Sequence, residues 1–167
     1  DPVLVTGPFF RAVAFKYLRA AGRVAPNILS GVPGRERGGR YNPAGVARTT
    51  YLAESAETAL SEATRVFLGS GVAAALTRPL VMLTVEGQLC RVLDLLDLTV
   101  QARVGTNSHE LVAPYLLAAL KGETATQRLG RLAYLSARFE AIRGPSAQRP
   151  AGHTVAVFSE RVTAPSK

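Results

Sequence analysis

Between Gly31 and Gly45 the chain carries Gly31, Gly34, Gly38, Gly39 and Gly45, with Pro33 and Pro43 among them. Glycine loses the most conformational freedom when ordered and proline removes a backbone donor, so this stretch is expected to be loop. It contains Arg37-Gly38-Gly39-Arg40-Tyr41-Asn42-Pro43 and is followed by Thr50-Tyr51-Leu52-Ala53-Glu54-Ser55 and then Glu62. Permissive backbone, a guanidinium, two aromatic rings and a carboxylate so close together in sequence are the groups needed to hold a dinucleotide.

The elements on either side can be read from periodicity and punctuation. Phe9 to Phe15 reads as a strand, Asn27 to Val32 as a short extended piece, and Thr49 to Ala53 as a β-prone run. Ser55 suits a helix N-cap, with Glu57 adding negative charge to the first turn; Ala56, Ala59, Leu60, Ala63, Val66 and Phe67 follow at helical spacing until Gly69. Leu80 to Glu86 and Leu89 to Leu93 are expected to form a hairpin around Gly87-Gln88. Asp94 to Leu98 is expected to turn into a short helix or loop. Ser108 to Leu120 and Thr124 to Arg138 are helical in pattern, separated by Gly122. Glu140 to Arg143 and Thr154 to Ser159 read as late strands joined by the loop Gly144-Pro145-Ser146. Strands and helices mix without regular alternation, which predicts an α+β fold and not a doubly wound sheet. No internal repeat is visible.

The length of 167 residues suits one domain, with a core over about 8–160 and a short tail at 161–167. Hydrophobic residues make up 47% and charged residues 19%, far from the disordered regime. The weakly polar run from Val66 to Leu76 is too short to cross a bilayer and is broken by Gly69, Ser70 and Gly71. Nothing after Asp1 resembles a secretory signal, so the cytoplasm is the expected location. Cys90 is the single cysteine, which excludes an intramolecular disulfide and a thiolate-rich zinc site; its apolar neighbours predict a buried structural thiol over a nucleophile. His109 and His153 lie far apart with no carboxylate at ligand spacing, so no metal site is expected. The formal net charge of +8 comes from arginines scattered through Arg11, Arg40, Arg65, Arg91, Arg128 and Arg143. That scatter predicts a solvated basic surface and not direct nucleic-acid binding; an anionic small molecule or an acidic protein partner would satisfy the same charge.

Glu62 falls at the flank of the apolar stripe of its helix. It is either a solvated glutamate or a carboxylate facing a pocket rim, where it could bond a ribose hydroxyl and stabilise the positive charge of a breaking glycosidic bond. Gly38-Gly39-Arg40 favours the second reading, because two glycines let backbone approach a ligand and a guanidinium fork matches phosphate oxygens. Tyr41 and Tyr51 could offer an aromatic face to a nicotinamide ring, or be core tyrosines with capped hydroxyls. No Gly-x-Gly-x-x-Gly follows a strand, which argues against a Rossmann dehydrogenase.

These blocks, Gly38-Gly39-Arg40-Tyr41-Asn42-Pro43, Tyr51-Leu52-Ala53-Glu54-Ser55, Glu62 and Gly144-Pro145-Ser146-Ala147, resemble the RES-domain toxins, a family named for an arginine, a glutamate and a serine. The resemblance runs from Phe10-Arg11 to Val157-Phe158. It implies a fold like the ADP-ribosyltransferase toxins, a mixed sheet core with flanking helices. It also implies an enzyme that cleaves NAD+ as a substrate by hydrolysis or phosphorolysis, with inorganic phosphate as a possible co-substrate, no recycled cofactor and no metal. The implied protein partner is a cognate antitoxin with an Xre-like region, in an assembly with the toxin. By position, the resemblance makes Arg40, Glu62 and Tyr51 catalytic, and Arg11, Gly39, Arg40 and Tyr41 substrate-binding. Some members have a tyrosine where this chain has Ala12. Three hydroxyls compete for the family serine: Ser146, and Thr124 or Thr126 just before Gln127. The alternatives to NAD+ cleavage are ADP-ribosyl transfer to a protein target, and a nucleotide-binding module without catalysis.

Overall fold

Two long, bent segments frame the sheet. The structure, a computed structural model, describes residues 1–15, 28–69 and 79–166, with the side chains of 65–69 and 117 excepted. The first bent segment is β1 (Val3–Thr6) followed by β2 (Phe9–Ala14); the second is β4 (Leu80–Val85) followed by β5 (Gln88–Asp94). β1 pairs with β5 and β2 with β4, both antiparallel, and the Gly7 amide donates to the Gly87 carbonyl at 2.8 Å between the two ladders. With β3 (Thr49–Ala53), β6 (Ala141–Pro145) and β7 (His153–Phe158), they make a seven-stranded sheet ordered β1-β5-β6-β7-β3-β2-β4. The same pair of segments therefore stands at both ends of the strand order, so the sheet curls on itself. Pro8 lacks the donor to continue the ladder and marks the bend.

This pairing replaces the expected hairpin between Leu80–Glu86 and Leu89–Leu93. A two-residue hairpin turn needs positive φ, and Gly87 is not among the glycines with positive φ. The chain bends there without reversing, and each strand finds its partner near the N-terminus.

One irregularity in β5 explains several residues at once. Val3 faces Val92 and Val5 faces Leu89, so one extra residue of β5 bulges between them. The bulge puts Leu89 and Val92 into the same core cluster and leaves Cys90 half-buried, not the buried thiol expected. Its amides are taken up by Glu140, whose Oε1 accepts from Cys90 N at 2.6 Å, Arg91 N at 3.1 Å and the Ser166 hydroxyl at 2.6 Å. Ser166 thereby anchors the C-terminal segment onto the sheet.

The parallel pair β5/β6 requires a crossover. It is made by α3 (Leu98–Val104), α4 (Ser108–Val112), α5 (Leu116–Ala119) and α6 (Ala125–Leu135). Asp97 caps α3 by accepting from Thr99 N at 2.7 Å, and Asn107 caps α4 through Glu110 N at 3.0 Å. The helix expected over Ser108–Leu120 is split, because Ala113 precedes Pro114 and takes an extended ψ of 148°. The glycine-rich stretch expected to be loop contains α1 (Val32–Arg37), which tolerates Pro33 because it lies in the first turn. Val32 thus opens a helix instead of ending an extended piece, and Asn27 lies outside the described residues. Gly144 and Pro145 extend β6 and do not belong to the following loop. The remaining helix, α2 (Ala56–Gly69), follows β3 and packs on β2 and β3. None of the described helices is long and apolar enough to cross a membrane.

Alternation along the strands feeds two cores. Ile142, Ala156, Phe158 and Leu93 pack with Leu111 of α4 and Ala133 of α6. Val92, Ala141, Val155, Val157 and Leu52 join Phe9 in the other core. Each of the Val, Leu, Ile and Phe side chains among them, fully buried, contributes about 1.5–3 kcal/mol, so these layers hold the sheet beneath the site.

Candidate active site

A cavity of about 280 Å³ opens where β2, β3, the Gly38–Tyr41 turn and α2 meet. Arg11, Gly39, Arg40, Tyr41, Tyr51 and Glu62 all line it. The volume lies near the lower end of small-molecule pockets.

Glu62 is set by the start of α2. The Ser55 hydroxyl accepts from Thr58 N at 3.2 Å, fixing the first turn. Ala59, Glu62 and Ala63 then share the face that borders the cavity, as spacings of three and four on a helix require. Glu62 accepts a 2.7 Å hydrogen bond from the Ser146 hydroxyl. Ser146 is itself fixed, since its oxygen accepts from Gln148 N and Arg149 N at 3.1 and 3.2 Å. Of the three candidate hydroxyls, Ser146 is the one that touches the glutamate. Thr124 caps α6 in a reciprocal box with Gln127, Thr126 is buried beside it at 3.2 Å, and neither lines the cavity. Their hydroxyls serve the helix end, while Ser146, which does not line the cavity either, meets it through Glu62.

Arg40 is aimed by a tightly supported turn. Gly38 has φ of +71°, a conformation that favours glycine, and Gly39 and Asn42 form a bridge through their backbones. The Tyr51 hydroxyl donates to Asn42 Oδ1 at 2.7 Å and accepts from Tyr41 N at 2.9 Å. A side chain at Gly39 would collide with the Tyr51 ring, its Cβ falling 2.7 Å from Cε2. Tyr51 thus borders the cavity with its ring while its hydroxyl is committed to the turn, and burial pushes that phenol far above its usual range. From the other side, Gln127 Nε2 donates to the Gly39 carbonyl at 3.1 Å, and α6 lies close enough to Tyr41 that only glycine fits at Gly130.

The guanidinium is held in turn by the crossover. Arg40 Nη1 donates to the carbonyls of Leu111 and Ala113 at 2.8 and 2.9 Å, the C-terminal end of α4, where helix carbonyls attract cations. The Tyr115 ring lies over it at 5.0 Å and also lines the cavity. Tyr115, Gly130 and the supporting role of Gln127 carry no signal in the sequence that separates them from ordinary helix residues.

Arg11 reaches the cavity from β2. Its Nη1 is buried and finds no partner among the described residues, and burial lowers its pKa from the ordinary arginine value. An unpaired guanidinium nitrogen away from water is costly and suits an anionic ligand. Ala12 lines the wall beside it. Tyr41 is 1% exposed, so its ring offers no open stacking face; nor does its hydroxyl find a partner among the described residues, as a core tyrosine's would. Among the described residues, no three His, Cys, Asp or Glu side chains cluster as metal ligands.

The comparisons with known proteins agree with this architecture. The RES domain family matches residues 8–166. A chain of the crystal structure of the M. tuberculosis MbcT-MbcA toxin-antitoxin complex superposes with a TM-score of 0.72 at 22% identity, covering 98% of this chain and 80% of that one. No curated protein matches. A likeness at that identity shows a shared fold, and the family match spans nearly the whole sequence: this chain belongs to the RES domain family.

Proposed function

We propose that this chain is a toxin-type enzyme that cleaves NAD+ at the bond between nicotinamide and ribose. The observation that carries the reading is the convergence on one cavity of Glu62, Arg40 and Arg11, whose Nη1 has no partner among the described residues. Breaking that bond leaves positive charge on the ribose, and a carboxylate fixed beside it stabilises the oxocarbenium-like transition state. Glu62 supplies the carboxylate, and the Ser146 hydroxyl holds it in one orientation. Arg11 and Arg40 bind the pyrophosphate, whose planar oxygen pairs suit guanidinium groups. Tyr51 positions Arg40 by clamping the turn. Nicotinamide leaves with the bonding electrons, and water or inorganic phosphate attacks the ribose carbon, giving ADP-ribose or its phosphate.

The solved relative is a toxin-antitoxin complex. By analogy, a cognate antitoxin of the Xre type restrains this enzyme in the cytoplasm. The basic surface, with its net charge of +8, suits an acidic protein partner.

The test is product analysis by mass after mixing purified protein with NAD+, with and without phosphate. Free nicotinamide with ADP-ribose or its phosphate is the expected result. Glu62→Gln keeps the shape and removes the charge; it should lower kcat by about 10²–10³, the range for losing a transition-state charge contact. Intact NAD+ would overturn the reading, and label transferred onto protein in a cell lysate would assign the chain to ADP-ribosyl transfer instead.

A further inference from the structure

Arginine has among the largest rotamer freedom of any side chain, so one that serves a binding site is either fixed by its surroundings or weakens binding by having to be ordered. Arg40 is fixed by carbonyls that lie 71 and 73 residues further along the chain. The fully buried Leu111 side chain locks the end of α4 into the core, while the Leu111 carbonyl accepts from Arg40 Nη1. Ala113, extended because Pro114 follows, brings its own carbonyl to the same nitrogen. Both protons of Nη1 are thereby committed to the fold, and ligand oxygens must be met by Nε and Nη2.

Two hydrogen bonds to one nitrogen fix where a guanidinium sits but leave its plane able to tilt about that nitrogen. The ring of Tyr115 covers the group, with Cζ 5.0 Å from the ring centroid. Tyr115 directly follows Pro114 and precedes the first residue of α5, so the break that supplies the carbonyls also delivers the ring. It lines the cavity, where the two tyrosines expected to stack are otherwise engaged: Tyr41 is buried, and the Tyr51 hydroxyl is bonded into the turn. Resting on the pyrophosphate-binding role given to Arg40, we infer that Tyr115 is a positioning residue whose ring sets the plane of the Arg40 guanidinium, so that Nε and Nη2 meet the phosphates as a fork. The phosphates keep their charge while the bond to nicotinamide breaks, so Arg40 binds substrate and transition state alike. Tyr115 therefore governs KM and leaves kcat to Glu62.

The test compares Tyr115→Phe, which keeps an aromatic face, with the ring-free variants Tyr115→Leu and Tyr115→Met. Tyr115 is only half-buried, so all three are expected to fold. Without ligand, proton–nitrogen NMR follows the side-chain Nε–H signal of Arg40, identified by its loss in Arg40→Lys. The signal should be displaced by the ring in wild type and Tyr115→Phe, and should return to the position of a solvated arginine in the ring-free variants. With NAD+, the ring-free variants should raise KM about tenfold with kcat within about twofold, in the range of a partly desolvated cation–π contact. Tyr115→Phe should stay near wild type, and Tyr115→Leu should add nothing in an Arg40→Ala background. An Arg40 signal left in place by the ring-free variants would overturn the inference. So would a KM effect that persists in Arg40→Ala, which would put the ring on the nucleotide itself, or a loss shared equally by Tyr115→Phe, which would put the hydroxyl in charge. If wild-type protein leaves NAD+ intact, the NAD+ reading fails by itself, and the ligand-free NMR comparison still decides whether the ring holds Arg40.

Discussion

Glu140 and the cavity around Glu62 handle buried polarity in opposite ways. Glu140 is fully buried, yet its Oε1 accepts from two backbone amides and a hydroxyl, and its Oε2 lies 3.4 Å from Arg91 Nη2. In the cavity, Arg11 Nη1 and the Tyr41 hydroxyl are buried without partners among the described residues. The first arrangement lowers the energy of the folded chain by itself, whereas the second is a cost to it. Two glutamates in one small domain are thus distinguishable by what surrounds them: one completes a β-bulge, the other lines a cavity and accepts from the Ser146 hydroxyl.

The sharpest way to break this contrast is at Glu140. In Glu140→Ala, the Arg91 amide loses its acceptor inside the sheet, the Cys90 amide keeps only the Ser166 hydroxyl at 3.1 Å, and that hydroxyl loses the carboxylate it donates to. At about 1–3 kcal/mol for each of the two donors left without an acceptor, the Arg91 amide and the Ser166 hydroxyl, the loss should total about 2–6 kcal/mol. For a domain of this size that is a drop of roughly 4–24 °C in melting temperature. Thermal unfolding in the absence of ligand measures it. A drop below about 2 °C would mean that the bulge finds other acceptors and that Glu140 is not the organising group.

A smaller effect is expected at Ser146, where the contrast can be sharpened. Ser146→Ala removes the donor to Glu62 and the acceptor for Gln148 N and Arg149 N, in the turn after β6 and not in the sheet. Stability should fall by about 1 kcal/mol, the net worth of ordinary hydrogen bonds in a partly buried turn. NAD+ turnover should fall about tenfold, mostly in kcat, because a carboxylate no longer held in one orientation stabilises the transition state less well. Steady-state kinetics would measure this. An effect confined to KM would place Ser146 in ground-state binding instead.

How much of this was legible in the sequence depends on how local the determinant is. The strand Thr49–Ala53, the cap at Ser55 and the helix behind it are written in consecutive residues, as are the helix that begins near Thr124 and the strand at the end. Arg40 and Glu62 could be placed near one another because a single strand and turn separate them. The failures are non-local. Leu80–Val85 and Gln88–Asp94 have the pattern of a hairpin, and only the N-terminal strands, some eighty residues away, decide that they do not form one. Glu140 reads only as the first residue of a strand, since a bulge in a neighbouring strand leaves no mark on it. The choice among Ser146, Thr124 and Thr126 could not be made from chemistry, because all three are hydroxyls and only the fold brings one to Glu62. Tyr115 reaches Arg40 because Pro114 breaks a helix, which the residues near Arg40 do not reveal.

The smallest predicted effect lies between the two extremes of burial. Glu54 follows β3 and, at the strand ends, meets Arg143 of β6, Asp94 of β5 and His153 of β7. Arg143 Nε and Nη2 donate to the two oxygens of Glu54 at 2.6 and 2.8 Å, while its Nη1 reaches Asp94 Oδ2 at 3.1 Å and His153 Nδ1 lies 3.0 Å from Glu54 Oε2. Burial pushes the Glu54 carboxyl up, but the hydrogen bonds from Arg143 and His153 outweigh it and hold the group below its ordinary value. An acid whose pKa is depressed by folding contributes its stability above the unfolded value, about 4.3 for glutamate, and loses it as pH falls through the folded value. The side chains are about a quarter exposed, so solvent screens the pair and its worth is about 1 kcal/mol. Glu54→Gln should therefore melt roughly 2–4 °C below wild type at pH 7. That gap should hold constant down to about pH 5 and close as the wild-type carboxyl protonates at lower pH. A gap that persists undiminished at about pH 2–3 would mean that shape at the strand ends, and not the ionised Glu54, supplies the stability; like Glu140, the group would then act through geometry more than charge.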